Sequence, residues 1–467
     1  MTTLEVVNEK NKLGVWRQRI GYGSSDLACN LIWQMISLYL LYFYTDVMGL
    51  SAVAISFMFV VTRVIDGVTD LLVGYCIDKT NTRWGKSRPY FLFGAVPFAL
   101  FAVLAFSVPN ISSNGKLIYA YVTYIGLSLT YTIVNIPMAS ILPSLTDDTN
   151  ERTALSTSRK FFGFLGSTIV SYSALTLVGK FGGTDEALGF RIVMMLFAFI
   201  GCAIFLFTFS NVRERVEVKS ENVTLSQTIK SLKENKPWKL FALNILFMWT
   251  GFFIQSSALI YYFSYNIGSK TLATTVATIM SIIPILANFL VPILAKILGK
   301  RNLYITSATV QFIGLGIILI ADLNTSLIIA GSIVSAFGYG IKESIYFSMQ
   351  ADPVDYGIWK TGINTTGTLN SINGFLGKCA QAISGGLGGA LLAWGGYIAK
   401  AEVQPVSALI AIKVMYVYIP MILLICSMIT MKFYDLDKQY PKIKADLDAR
   451  NKCKINNNDI IKEKKHV

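Results

Sequence analysis

Between Thr62 and Asp78 the sequence TRVIDGVTDLLVGYCID sets an arginine and two aspartates inside an otherwise apolar stretch. On a helix Asp66 and Asp70 are four residues apart and Arg63 is three before Asp66, so all three share one side within about two turns. An ionisable group at mid-bilayer costs on the order of 3 kcal/mol even on the lenient insertion scales, so such groups face a bundle interior and mark an ion or solute path. Paired carboxylates with hydroxyl neighbours offer hard oxygen ligands to Na⁺, or a carboxyl whose burial lets it carry a proton. An Arg63–Asp66 pair alone would serve to lock two helices together; the second aspartate turns the balance toward function.

Other polar residues recur where lipid would exclude them. Asp26, Asn30, Trp33 and Ser37 follow helical spacing in the first apolar run and give it one polar, aromatic side. The competing reading of Asp26 is a solvated group at the membrane interface. Ser128, Tyr131, Thr132 and Asn135 gather before Pro137, which should bend the fourth run. Arg159 opens the fifth, where an interfacial anchor is the plainer role. Lys342 and Glu343 are adjacent in the tenth, and Lys378 sits mid-run in the eleventh beside Asn370, Ser371 and Gln381. A lysine there needs a carboxylate partner or a wet cavity, and Asp66 and Asp70 are the candidates. Amides both donate and accept, and an indole packs against the apolar side of a sugar ring, so the set suits a polyhydroxylated ligand.

These residues need a membrane scaffold, and composition supplies it. The chain is 53% hydrophobic and 15% charged with mean hydropathy +0.53, more apolar matter than one soluble core hides. Runs of about 20 residues predict twelve transmembrane helices near 24–46, 51–76, 90–109, 117–143, 160–179, 189–210, 239–266, 272–295, 303–321, 325–350, 365–394 and 406–431. The expected organisation is a polar segment 1–23 without a cleavable signal, a six-helix bundle 24–210, a linker 211–238, a second bundle 239–431 and a solvated basic tail 432–467. Lysine and arginine concentrate after the second, sixth and eighth spans, which places those loops and both termini in the cytoplasm.

The net charge of +14 lies in loops and a solvated tail, a location that argues against nucleic acid and leaves the tail able to touch anionic lipid. Six scattered cysteines without CxxC or metal-ligand spacing predict neither disulfide nor zinc. The single histidine, His466, lies in the polar tail, which removes His-dependent catalysis. No cofactor motif is present, and the chain does not read as an enzyme.

RVIDGVTD, NTRWGKSRPY, TYTIVNIP and ADPVDYG, in order over residues 16–440, resemble the glycoside-pentoside-hexuronide:cation symporters of the major facilitator superfamily, whose best-known member is the melibiose carrier. The resemblance implies two six-helix halves with a midplane site between them. It implies that Asp66 and Asp70 bind the coupling Na⁺ or H⁺ with Thr69, Thr132 and Asn30 nearby, that Arg159 contacts sugar, and that Lys378 is drawn to the cation-site carboxylates. Asn30, Asn135, Trp33, Tyr131 and Asp26 complete the expected sugar site, and Arg63, Lys342 and Glu343 the coupling or gating set. Asn30 and Asn135 stand where the melibiose carrier has carboxylates, and Cys29 and Ala139 where it has lysine and tryptophan, which departs from α-galactoside transport and strict Na⁺ coupling. SDLACN, NIP and GKCAQAI look closer to glucuronide and pentoside carriers. The expectation is a monomeric symporter of the bacterial inner membrane importing a glycoside, pentoside or hexuronide. The alternatives are a carrier of lipid-like amphiphiles and a non-transporting sugar sensor.

Overall fold

The computed structural model describes residues 3–80, 82–146, 149–214, 234–362, 366–399, 401, 403–437 and 439–447. Linker residues 215–233, tail residues 448–467 and the side chains of Asn370 and Ser371 lie outside the described set. The architecture among these residues is helical throughout. Twelve long helices follow in chain order: α1 Thr3–Tyr42, α2 Ala52–Lys79, α3 Arg88–Ala105, α4 Ser113–Ser140, α5 Thr149–Gly182 and α6 Glu186–Asn211, then α7 Lys236–Tyr261, α8 Lys270–Asn288, α9 Lys300–Ile320, α10 Thr325–Met349, α11 Thr366–Trp394 and α12 Val406–Lys432. Among the described residues eleven stretches are long and apolar enough to cross a membrane, and α11 takes the place of the remaining expected span.

Local chemistry sets many of the helix ends. Ser112, Asp185 and Asn324 cap α4, α6 and α10 by accepting from the N–H three residues on. The eighth span, expected to run to 295, breaks after Asn288 and resumes at Val291–Leu298, because Pro292 cannot donate to the preceding turn. Pro97, Pro137 and Pro284 are carried inside α3, α4 and α8. Helix α1 starts at Thr3, well before the span expected from residue 24. Five-residue π-helical turns follow α1 at Phe43–Val47 and α7 at Tyr262–Asn266, and a third interrupts α12 at Val414–Tyr418.

Two compact units divide the chain, one holding residues 1–220, 252–282 and 381–419, the other 221–251, 283–380 and 420–467. In the first, the loop between α2 and α3 closes around Glu214, whose carboxylate accepts from the backbone N–H groups of Lys86, Ser87 and Arg88 at 2.9, 2.8 and 3.2 Å. Gly85 makes this turn at φ +106°, and a Cβ there would lie 2.6 Å from that carboxylate. Small residues on α11 let α2 approach: a Cβ on Gly389 would sit 2.5 Å from the Ala52 carbonyl oxygen.

The second unit is centred on buried Phe241, Ile245, Tyr304, Ile345 and Tyr346. Asn244 of α7 binds α9 and α12 together, accepting from Tyr304 at 3.1 Å and Ser427 at 2.6 Å. The start of the tail, expected to be solvated, belongs to this core: Tyr434, Leu436 and Ile443 are buried in it. Asp437 accepts from the Arg301 N–H at 2.6 Å, Tyr440 donates to Asp355 at 2.6 Å, and Trp359 donates to Asp446 at 2.9 Å. Burial raises the Tyr440 phenol above its ordinary pKa, so it remains a donor at physiological pH. Its dense charge hid three apolar anchors, which is why sequence reading placed this segment in solvent.

Candidate ion and solute site

Helix α4 is the ruler of the site. Tyr124, Ser128, Tyr131, Thr132 and Asn135 fall at i, i+4, i+7, i+8 and i+11, on one face. Against that face α2 brings its charges. Arg63 Nη1 donates to Asp66 Oδ2 at 2.6 Å and Nη2 to the Tyr124 hydroxyl at 2.6 Å; Ser128 donates to Asp66 Oδ1 at 2.5 Å. Arg63 and Asp66 side chains are only 5% and 1% exposed, so the pair is dry and each of its charges is answered. One turn on, Asp70 Oδ1 accepts from Thr132 at 3.0 Å, and Asp70 is partly open where Asp66 is closed. Thr69 instead turns its hydroxyl to the Asp66 carbonyl at 3.2 Å.

An aromatic plate adjoins this cluster. Trp33 of α1 stacks on Tyr131 with ring centroids 4.4 Å apart and planes 20° from parallel, and the Arg63 guanidinium lies 5.8 Å from the Trp33 ring centre. Alongside, α5 meets α1: Arg159 Nε reaches Asp26 Oδ1 at 3.4 Å, and both side chains keep some exposure, 26% and 17%. Asn30 Nδ2 donates to the Asp26 carbonyl at 2.8 Å while Ser167 donates to its Oδ1 at 3.1 Å. The two helices come this close because Gly163 and Gly166 present no side chain; a Cβ on Gly163 would lie 2.5 Å from Asp26 Oδ2. Asp26 is thus turned to Arg159.

The structure thus gathers Asp26, Asn30, Trp33, Arg63, Asp66, Asp70, Tyr131, Thr132 and Arg159 on neighbouring faces of α1, α2, α4 and α5, with Asn135 half-buried one turn beyond Tyr131. Lys342 and Lys378 lie in the other unit. Lys342, 2% exposed, donates to Gln311 Oε1 at 2.7 Å and sits 5.6 Å from the Tyr339 ring centre, with Glu343 buried beside it.

Sequence reading missed Asp46. It lies in the π-turn after α1, 1% exposed, and its Oδ1 accepts from Tyr265 and Tyr397, each at 2.5 Å, while Thr45 donates to Oδ2 at 2.8 Å. The available signal was a lone acid in the aromatic run YLLYFYTDV, which resembled a span end.

Helices long and apolar enough to cross a membrane, carrying buried charges and a stacked aromatic pair, have the make-up of a membrane transporter, and the comparisons with known proteins agree. Residues 21–438 match the family described as MFS/sugar transport protein. The isoprimeverose transporter of Lactiplantibacillus pentosus is 41% identical over 93% of this chain and 92% of its own length. The glucuronide carrier protein homolog of Escherichia coli K12 is 29% identical over 94% and 96%. Among solved structures, the D-xylose-proton symporter matches with TM-score 0.62 at 13% identity over 92% of this chain and 98% of its own, a likeness of fold. The chain belongs to the glycoside-pentoside-hexuronide type of major facilitator sugar symporters.

Proposed function

We propose that the protein imports a glycoside together with Na⁺ or H⁺ across a bacterial plasma membrane, with both termini in the cytoplasm and a six-helix half on either side of the linker. The observation that carries this reading is the division of labour along α4. Arg63, Asp66 and Asp70 gather against Ser128 and Thr132, and the Trp33–Tyr131 plate adjoins them. Asp66 is committed to Arg63 and Ser128, so Asp70 with Thr132 holds the coupling ion. Loading a monovalent cation there offsets carboxylate charge, which lowers the cost of moving the set through a low-dielectric barrier.

Along α1, α4 and α5, Arg159, Asp26, Asn30 and Asn135 receive sugar hydroxyls, and the indole takes the apolar ring face. Amides at 30 and 135 admit a uronic acid as well as a neutral sugar. Isoprimeverose, named for the 41% relative, and glucuronides head the substrate panel. Lys378, Lys342 and Glu343 act in the changes that follow loading.

The deciding experiment is uptake of labelled sugars into proteoliposomes under a Na⁺ gradient and a pH gradient imposed separately. One gradient drives accumulation in the wild type, and Asp70→Asn abolishes accumulation while retaining sugar exchange. Folded wild-type protein that accumulates no glycoside under either gradient would overturn the proposal.

A further inference from the structure

Away from the α4 site, the first unit contains a cavity. A crevice of about 720 Å³ opens between α5 and α8, walled by Tyr172 and Thr176 on one side and Thr271 and Thr275 on the other. At its mouth Lys270 pairs with Glu186, donates to the Tyr42 hydroxyl at 3.0 Å and lies 5.4 Å from the Tyr42 ring centre. This ion pair is open, with side chains 50% and 40% exposed. Beyond the cavity's inner end at Tyr172 and Ile279, Ser171 and Ser281 join α5 to α8 through a 2.9 Å hydrogen bond.

The walls do not suit a sugar. The hydroxyls of Ser173, Thr275 and Thr278 donate to carbonyls of their own helices at 2.6, 3.1 and 2.8 Å, leaving methyl and alkyl surface toward the cavity. From Lys270 to Ile279 the wall rises roughly 14 Å at the helical 1.5 Å per residue, about half of a 30 Å hydrocarbon core. That is the depth of one leaflet. The mouth carries one positive and one negative group, complementary to a headgroup bearing a phosphate and an amine.

We propose that this crevice is a binding site for a zwitterionic phospholipid of the surrounding bilayer, its phosphate on Lys270, its amine on Glu186 and one acyl chain between α5 and α8. The site is separate from the sugar-binding face and does not depend on the transport reading. A chain wedged there makes the α5–α8 seam sensitive to bilayer composition.

Native mass spectrometry of the full-length protein, titrated with mixed micelles of phosphatidylethanolamine and phosphatidylglycerol in equal amounts, tests this. One phosphatidylethanolamine per protein is retained at least fivefold over phosphatidylglycerol. Thr275→Trp, which fills the crevice, lowers retention about tenfold, and the Lys270→Gln/Glu186→Gln pair removes the headgroup preference. Equal retention of both lipids, or unchanged retention in folded Thr275→Trp, refutes the site. Wild-type protein photolabelled with a diazirine-bearing phosphatidylethanolamine gives a check independent of any variant's folding: adducts concentrated on 172–179 and 271–279 support the site, and adducts spread around the bundle overturn it.

Discussion

Replacing Arg63 by glutamine should be more damaging to the fold than replacing both Arg63 and Asp66 by amides. In the native protein Asp66 is 1% exposed and accepts from Arg63 at 2.6 Å and Ser128 at 2.5 Å. Arg63→Gln leaves a buried carboxylate with its charge unanswered, and Asp66→Asn leaves a buried guanidinium without its counter-charge. Each single change should cost about 3–5 kcal/mol, the usual penalty for breaking a buried pair. The double variant Arg63→Gln/Asp66→Asn buries two amides able to bond one another, and the two changes should couple by about 0.5–3 kcal/mol. Charge follows the same arithmetic. Arg63, Asp66 and Asp70 sum to −1 in the wild type, −2 in Arg63→Gln, 0 in Asp66→Asn and −1 again in the double variant. Thermal unfolding in detergent reads the stability half, and gradient-driven uptake into proteoliposomes reads the charge half. Both should be partly restored in the double variant. A double variant as stable as predicted but incapable of gradient-driven uptake would refute Asp70 as the ion carrier.

Tyr265→Phe and Tyr397→Phe each remove a donor to buried Asp46, and each should lower stability by about 1.5–3 kcal/mol, the range for hydrogen bonds to charged groups; no shift in the melting temperature of either would contradict the geometry. Trp33→Leu removes the stack on Tyr131, worth about 0.5–1.5 kcal/mol beyond burial, and should weaken sugar binding about two- to tenfold in a calorimetric titration. Gly389→Val drives a side chain into the Ala52 carbonyl and should destabilise the α2–α11 contact by roughly 1–3 kcal/mol, seen as a lower yield of monodisperse protein. Ile443→Asp, which places an acid in the second unit's core, should lower the melting temperature clearly, whereas a tail that sits in solvent would leave it unchanged.

The spans were legible because twenty apolar residues in a row have few alternatives, and the α2 cluster was legible because charge within such a run is costly. What escaped the sequence was of another kind. The break at Asn288 and the helical extension to Thr3 depend on local backbone geometry, which hydropathy averages away. Asp46 sat at a run's end, where an acid is cheap, and only the tertiary approach of Tyr265 and Tyr397 makes it a buried acceptor. Thr69 was expected near the carboxylates only through the family resemblance, and its hydroxyl instead donates to the Asp66 carbonyl. The approach of Arg159 to Asp26 across Gly163 was likewise a matter of tertiary packing that spacing along α1 does not carry. Tyr434, Leu436 and Ile443 were too few and too widely spaced among charges to signal a buried segment.

The single face of α4 has a mechanical consequence. Ser128 and Thr132 hold the two carboxylates, and Tyr131, between them in sequence, holds the plate. Consecutive residues of a helix point about 100° apart, so Tyr131 and Thr132 work on different neighbours from one rigid rod. Turning that rod about its axis, or sliding it along, disturbs both grips in the same stroke. α4 is thus a camshaft with two lobes, and its angle is one coordinate on which the timing of ion and solute can be read.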